Sequence, residues 1–321
     1  MAAQLENFYL EENNPDVRLT TYVLDSPELM AVGPRPAVLV LPGGGYFSCS
    51  DREAEPVALA FATMGYHAFV LRYSVYNQKG SVFPDITKDI PLKEASQHPR
   101  PVREVGMAMR LIRDHAEAWN VDAERIAVCG FSAGGHNAAM YGAYWNTDLV
   151  TEGKFDPVRP AALILGYPLT DYVLMRDFTK TASPMDQAFF RQSNRAFLGG
   201  REDDAKLDEV SPARHVTKDF PPTFLFATTT DTMVPPQHSL ALAMALQNAK
   251  IPYELHLYEG GPHGLSLADQ ATATSKWETE PRAAGWVQEA KTWLLKRFAI
   301  SLPKEPAWIA EVRGAQRTSK S

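Results

Sequence analysis

The sequence contains one serine in a setting that favours nucleophilic chemistry. Ser132 is the central residue of Gly130-Phe131-Ser132-Ala133-Gly134, a G-x-S-x-G pattern with an apolar run before it and small residues after it. A strand before the pattern and a helix after it would form a sharp turn that exposes the serine Oγ. The glycines allow close backbone approach, and the helix N-terminus favours developing negative charge. The pattern therefore predicts Ser132 as a nucleophile, with a glycine-rich packing turn as the alternative.

A serine hydroxyl is a weak nucleophile and needs a base, which in turn needs an orienting group. Asp231 follows the predicted strand Thr223–Thr228, and His263 follows the predicted strand Tyr253–Tyr258. Both residues would lie in loops at the carboxyl ends of parallel strands, where α/β sheets place their sites. We therefore predict a triad of Ser132 as nucleophile, His263 as base and Asp231 as the acid that orients the base.

Other acids and histidines are alternatives to these assignments. Asp171 follows the predicted strand Ala161–Leu165 and is an alternative to Asp231. His136 lies one helical turn beyond Ser132, where its ring would point along the helix, so we expect it to make a structural hydrogen bond. Packing or surface roles are predicted for His215, His238 and His256.

A glycine-rich loop is the candidate source of backbone donors for a substrate oxygen. Pro42-Gly43-Gly44-Gly45-Tyr46 directly follows the predicted strand Ala37–Leu41. Bare glycine backbone can approach a substrate closely, so its N–H groups can stabilise an oxyanion. We predict an oxyanion hole formed by the N–H groups of Gly44, Gly45 and Ala133, and the alternative is a flexible glycine turn.

Short aliphatic runs alternate with helix-like segments along most of the chain. This alternation predicts an α/β fold, a three-layer sandwich with a mostly parallel central sheet and helices on both faces. The predicted strands are Ala37–Leu41, His67–Arg72, Arg125–Cys129, Ala161–Leu165, Thr223–Thr228 and Tyr253–Tyr258, with Val17–Leu24 as an antiparallel edge strand. The predicted helices are Glu53–Met64, Val102–Trp119, Ala133–Trp145, Pro236–Asn248 and Pro281–Phe298.

Two segments interrupt this alternation and are predicted to frame a pocket. Ser74–Arg100 is a long loop, and residues 171–213 form an insertion expected to act as a small cap. We expect a single domain over residues 1–321, with its core at about 17–298 and a peripheral tail over 303–321. Aromatic residues that could line the pocket, or pack in the core, are Tyr46, Phe47, Tyr73, Tyr76, Phe83 and Tyr167, and the substrate-binding candidates among them are Tyr46, Phe47, Tyr76 and Tyr167.

Composition and charge exclude several classes of protein. The 321 residues are 45% hydrophobic and 22% charged, as is ordinary for a globular enzyme. A net charge of -6 leaves no basic face for nucleic acid or for an anionic membrane. No Cys/His spacing indicates zinc, and Cys49 and Cys129 are expected to form no disulfide.

The sequence also gives an expectation for location. The N-terminus has no apolar signal stretch and no run of about 18 apolar residues occurs, so a cytoplasmic enzyme is expected.

Taken together, the motifs resemble those of α/β-hydrolase-fold serine esterases. The similarity rests on the glycine loop, the Gly-Phe-Ser-Ala-Gly-Gly-His elbow, Asp231 before Val234-Pro235, and the Gly-Pro-His-Gly loop around His263. It extends from about Arg35 to about Phe298. Pro42 stands where hormone-sensitive-lipase-like esterases have histidine, which argues against that branch. The mechanism is unaffected, because the donors are backbone groups.

A more specific similarity follows the glycine loop. Asp51-Arg52-Glu53-Ala54-Glu55-Pro56-Val57-Ala58 is similar to a stretch of bacterial acetyl esterases and acetylxylan esterases. Glu53 and Glu55 are interpreted as acids in the first turn of a helix, where the helix dipole favours them, with a binding role as the alternative.

The resemblance implies a serine carboxylic-ester hydrolase that works through an acyl-enzyme on small short-chain esters, without metal or organic cofactor. Its substrate would be a small-molecule ester, such as an acetylated sugar or xylo-oligosaccharide. An amidase or peptidase of the same fold is one alternative, and a catalytically silent binding member is another. The exposed surface of the insertion could carry a dimer contact, so a homo-oligomer also stays open.

Overall fold

The computed structural model describes residues 2–11, 14–27, 33–79, 83–306 and 308–309. Within these residues one mixed sheet runs in the order β1-β3-β5-β4-β6-β7-β8-β9, with β2 also paired to β3. The strands are β1 (Ala3–Gln4), β2 (Asn7–Tyr9), β3 (Arg18–Leu24), β4 (Arg35–Leu41), β5 (His67–Arg72), β6 (Val121–Phe131), β7 (Ala162–Gly166), β8 (Thr223–Thr228) and β9 (Tyr253–Tyr258).

Strands β4 to β9 pair in parallel, and β3 pairs antiparallel with β5. The antiparallel direction predicted for the N-terminal strand is therefore confirmed. The prediction that it is an edge strand is wrong, because the short strands β1 and β2 pair along its other side. Segments of two and three residues are too short to produce a hydrophobic period, so the sequence did not predict them.

The helices are α1 (Glu55–Thr63), α2 (Arg100–Asp114), α3 (Ala133–Tyr144), α4 (Asp148–Thr151), α5 (Tyr172–Thr179), α6 (Pro184–Leu198), α7 (Asp204–Glu209), α8 (Gln237–Asn248) and α9 (Trp286–Phe298). Two helix ends differ from prediction by five residues, and the other helix ends by two or fewer. Helix α2 ends at Asp114 and not at Trp119. The apolar pattern continues beyond the helix because Ala116 and Trp119 also pack against the core. The segment predicted to start α9 at Pro281 instead forms a 3-10 turn over Ala283–Gly285.

Alternate residues of the central strands face two separate apolar cores. In β4, Leu39 and Leu41 contribute to one core, and Val38 and Val40 contribute to the other. Successive strand residues point to opposite faces, and both faces are buried in a parallel sheet. Residues of α2, α3 and α8 belong to the first core, and residues of α1 and α9 belong to the second. The predicted three-layer α/β architecture is confirmed.

Helices α5, α6 and α7 lie in the predicted insertion at 171–213. The division into a core at about 17–298, a cap and a tail stays a prediction, and most of the predicted tail at 303–321 lies outside the described residues. In the described part of the chain, every helix is too short or too polar to cross a bilayer. The predicted cytoplasmic location stays a prediction.

Candidate active site

Ser132 stands at the turn between β6 and α3 with a backbone conformation that is rare for a residue with a side chain. Its φ is 52° and its ψ is -117°. A Cβ at Gly134 would lie 2.1 Å from the carbonyl oxygen of Leu41, so only glycine lets α3 start this close to β4. Strand, turn and helix thus have the arrangement that the G-x-S-x-G pattern predicts.

His263 and Asp231 meet Ser132 at the carboxyl edge of the sheet. His263 Nε2 lies 2.8 Å from Ser132 Oγ, and His263 Nδ1 lies 2.6 Å from Asp231 Oδ2. These are hydrogen-bonding distances for a nucleophile, its base and an orienting acid. The three residues come from the loops after β6, β8 and β9, so the parallel sheet brings them together.

The other oxygen of Asp231 is also held. Its Oδ1 accepts the backbone N–H groups of Met233 and Val234, both at 2.9 Å. The Thr230 hydroxyl donates to the carbonyl of Gly261, which links the loop of Asp231 to that of His263. These bonds fix the carboxylate so that one oxygen faces the imidazole.

The groups around His263 and its burial shift its pKa in opposite directions. Burial lowers the pKa, whereas the charge of Asp231, its hydrogen bond and the charge of Glu53 raise it, and the net direction is upward from the ordinary value. The protonated imidazolium is therefore stabilised at this position, as a group that accepts a proton from serine requires.

The glycine loop passes directly against the serine turn. A Cβ at Gly43 would lie 2.9 Å from Cβ of Ser132. Gly44 has a φ of 127°, and an added Cβ there would lie 2.1 Å from the carbonyl oxygen of Ser48. Across the described residues, no acceptor is found for the N–H of Gly44 or Gly45. Those two amides are thus not used in hydrogen bonds within the described residues, and their loop contacts the serine turn.

Glu53 is a buried member of this site, for which the sequence left a binding role only as the alternative. It lies in a 3-10 turn, Asp51–Glu53, that precedes α1, and it is only 4% exposed. Its Oε2 accepts the N–H of Gly43 at 2.8 Å, and its Oε1 accepts the hydroxyl of Tyr167 at 2.6 Å. Glu53 thus lies in a first helical turn as predicted, and its buried bonds to the glycine loop and to Tyr167 favour the alternative of a role in the site. The one available signal was its place in the distinctive stretch after the glycine loop.

Tyr167 connects this carboxylate to the histidine loop. Its hydroxyl accepts the backbone N–H of Ser266 at 2.8 Å and donates to Glu53. Its ring packs against that of His263 with the centroids 5.0 Å apart. The glycine loop, Glu53, Tyr167 and the segment after His263 thus form one continuous buried network.

The four aromatic substrate-binding candidates are all buried. Tyr46 is stacked on Phe197, and its hydroxyl lies 2.5 Å from Nδ1 of His136. Phe47 packs edge to face on Phe189 of α6. The exposed fractions are 1% for Tyr46, 0% for Phe47, 7% for Tyr76 and 2% for Tyr167. Packing within the protein accounts for these residues, and their contact with substrate stays a prediction.

The alternative acid and histidines are engaged elsewhere. Asp171 caps the N-terminus of α5 by accepting the N–H of Leu174, and it pairs with Arg214 at 2.8 Å. His136 makes the expected structural contacts, with its Nε2 2.8 Å from the carbonyl of Val210, and burial lowers its pKa to about 3. Structural contacts also hold His215, His238 and His256.

Among the described residues, no group of three or more His, Cys, Asp or Glu side chains is arranged to hold a metal ion. Cys49 and Cys129 are both buried and are not joined by a disulfide.

Two curated proteins share sequence with about three quarters of this chain. Endo-1,4-beta-xylanase B of Butyrivibrio fibrisolvens is 31% identical over 237 residues, which is 73% of this chain and 33% of that protein. The acetylxylan esterase of Xylanibacter ruminicola is 26% identical over 235 residues, which is 72% of this chain and 41% of that protein. The chain thus spans well under half the length of either relative.

A solved structure matches over nearly the whole length of both chains. The acetyl ester-xyloside bifunctional hydrolase of Caldicellulosiruptor lactoaceticus superposes with a TM-score of 0.71 at 28% identity, covering 94% of this chain and 99% of that one. The BD-FAE family model matches residues 27–246, more than half of the chain. The protein therefore belongs to the BD-FAE family of α/β-hydrolases.

Proposed function

We propose that this protein is a serine carboxylic-ester hydrolase. The observation that carries the proposal is the unbroken hydrogen-bonded chain from Ser132 Oγ through His263 to Asp231. It joins a serine on a strained turn to a partly buried base with a raised pKa. Acyl transfer through a covalent serine intermediate is the chemistry that this combination serves.

In the proposed reaction, His263 Nε2 takes the proton from Ser132 Oγ as the oxygen attacks an ester carbonyl carbon. Asp231 holds the imidazole orientation through Nδ1 and stabilises the imidazolium. The imidazolium then gives its proton to the leaving alcohol, which leaves an acyl group on Ser132. A water molecule, deprotonated by His263, attacks this acyl-enzyme and releases the acid.

The oxyanion that forms in each addition step needs donors. The proposed donors are the N–H groups of Gly44, Gly45 and Ala133, the last at the start of α3. The glycine loop supports this assignment because it lies against Ser132 with two amides unengaged. Fixed donors in a site that excludes water stabilise a transition-state charge more strongly than water does.

For the substrate, we propose short-chain esters of saccharides, with acetylated xylo-oligosaccharides as the first class to test. The relatives support this class, since one is an acetylxylan esterase and another an acetyl ester-xyloside hydrolase.

A cleft beside the triad loops supports a saccharide as the alcohol part. The cleft has a volume of about 570 Å³, and it is lined by Thr230, Gly261, Pro262, Lys276, Trp277, Thr279 and Glu280. Thr230 directly precedes Asp231, and Pro262 directly precedes His263. Trp277 is 83% exposed, an unusual degree for a side chain of this size. An open indole face with hydroxyl and charged groups around it suits a sugar ring, which has an apolar face and a polar edge.

The test is an assay of the wild type and of Ser132→Ala against 4-nitrophenyl acetate, butyrate and octanoate, and against acetylated xylo-oligosaccharides with acetate release. We expect hydrolysis of acetyl esters by the wild type and a loss of roughly 10⁴-fold or more in the variant. Activity that survives in Ser132→Ala would contradict the proposal. Labelling of Ser132 by a fluorophosphonate without hydrolysis of any ester would instead indicate an amide or peptide substrate.

A further inference from the structure

The buried carboxylate of Glu53 lies between two parts of the site that must act together. One of its oxygens accepts the N–H of Gly43, in the loop that holds the proposed oxyanion donors. Its other oxygen accepts the hydroxyl of Tyr167, whose ring packs on that of His263. A single side chain is thus bonded to the oxyanion loop and, through one residue, in contact with the base.

The hydrogen bonds to Glu53 match those that an ionised carboxylate accepts. The hydroxyl of Tyr167 accepts the N–H of Ser266, so its own proton is directed at Oε1 of Glu53. Oε2 accepts the hydrogen bond of the Gly43 N–H. Both oxygens are therefore acceptors, as in an ionised carboxylate. Burial raises the pKa of Glu53 above its ordinary value, and the two hydrogen bonds and the proximity of His263 limit that rise.

The segment that carries Glu53 is itself fastened to the chain after His263. The carbonyl of Arg52 accepts the hydroxyl of Ser266 at 2.6 Å, and the guanidinium of Arg52 pairs with Glu278 at 2.8 Å. These contacts cross between segments more than two hundred residues apart in sequence. They hold the carboxylate at a fixed place relative to the base.

We propose that Glu53 is a positioning residue for the ester hydrolysis, and that it acts by fixing the oxyanion loop and by stabilising protonated His263. This inference rests on the proposed function. The charge of Glu53 favours the imidazolium that forms when Ser132 attacks, and its bond to Gly43 keeps Gly44 and Gly45 in register with Ser132. Gly43 itself donates to the carboxylate, so its N–H is not an oxyanion donor.

The test uses the rate at which a fluorophosphonate labels Ser132, measured against pH, in the wild type, Glu53→Gln and Glu55→Gln. Labelling depends on the serine, its base and the oxyanion donors, but not on the natural substrate. Glu55 is the matched control, since it lies two residues away, is only partly buried and pairs with Arg72 instead of the glycine loop.

In Glu53→Gln we expect the plateau rate to fall by about 10-fold to 100-fold, less than the loss of an oxyanion donor can cost. We also expect the acid limb of the profile to move to lower pH, because removal of a negative charge lowers the pKa of His263. If Glu53 had only a structural role, its substitution would lower the labelling rate at high pH but would not move the pH at which that rate falls. Glu55→Gln is expected to match the wild type.

A second variant keeps the inference testable if Glu53→Gln fails to fold. Tyr167→Phe retains the carboxylate and removes its link to Ser266, so we expect a lower plateau and a smaller shift of the limb. A wild-type profile in either folded variant would overturn the role of Glu53. A wild type that does not label at all would instead overturn the proposed function, so the two failures are distinguishable.

Discussion

The ring of Phe189 lies directly against the backbone of Gly45. A Cβ at Gly45 would be 2.7 Å from Cζ of that ring, and the hydroxyl of Ser193, one turn further along α6, donates to the carbonyl of Gly45 at 2.8 Å. Helix α6 of the insertion therefore contacts the loop that holds two of the proposed oxyanion donors. We therefore expect the aromatic ring to limit the space beside an acyl group held by those donors.

The first prediction concerns acyl-chain length. Phe189→Ala removes the ring beside Gly45 and should raise the ratio of kcat/KM for 4-nitrophenyl octanoate to that for acetate by roughly 10-fold, since the added methylenes gain apolar contact. The control is Phe178→Ala, which truncates a half-buried phenylalanine of α5. An unchanged ratio in Phe189→Ala would show that α6 does not set the acyl preference.

The second prediction separates the two candidate acids. Asp231→Asn should lower kcat for 4-nitrophenyl acetate by about 10⁴-fold, because an amide cannot stabilise the imidazolium and favours the wrong tautomer. Asp171→Asn should retain most of the activity, since Asp171 caps α5 and pairs with Arg214. Thermal unfolding of both variants provides the control for folding. The reverse order of activities would assign the orienting role to Asp171.

The third prediction is a pH dependence. His263 must be neutral to accept the serine proton, and its pKa is raised, so kcat/KM should be maximal above that pKa and fall as the pH drops through it. The acid limb should therefore lie at a higher pH than an unperturbed histidine gives. In Asp231→Asn the limb should move to lower pH, because the raising influence is lost. Steady-state rates from acid to neutral pH measure both limbs, and a wild-type limb below the ordinary histidine range would contradict the arrangement.

The fourth prediction tests the cleft at Trp277. Trp277→Ala should raise KM for acetylated xylo-oligosaccharides by roughly 3-fold to 10-fold through loss of the aromatic face. The values for 4-nitrophenyl acetate should stay the same, because that ester has no sugar ring to place there. Trp308→Ala is the matched control, since Trp308 is an exposed tryptophan outside the cleft. Equal effects of the two substitutions on the saccharide would remove the cleft from the proposal.

Much of the fold and the central triad could be predicted from local patterns. Strands β5, β8 and β9 have the predicted bounds, because uninterrupted apolar or alternating runs mark them clearly. Ser132, Asp231 and His263 could be predicted because each directly follows such a strand, and the carboxyl ends of parallel strands share one edge. The residues close to each of these positions in the sequence were sufficient to predict them.

The role of Glu53 could not be predicted in the same way. An acid just before a helix is favoured by the helix dipole wherever it occurs, so the residue type was already explained by a local cause. Its burial depends on Gly43, Tyr167 and Ser266, which only the folded sheet brings together. The aromatic candidates show the converse, since Tyr46 and Phe47 were selected by type and are occupied in packing.

The strained backbone of Ser132 should make catalysis sensitive to small changes in the packing around it. A residue with a side chain at φ 52° and ψ -117° stores strain of about 1–3 kcal/mol, which the surrounding packing must oppose. We expect a substitution that loosens the contact of α3 with β4 to let this turn relax locally before the whole domain unfolds. Catalytic rate should therefore be a more sensitive gauge of packing around the elbow than the unfolding temperature is.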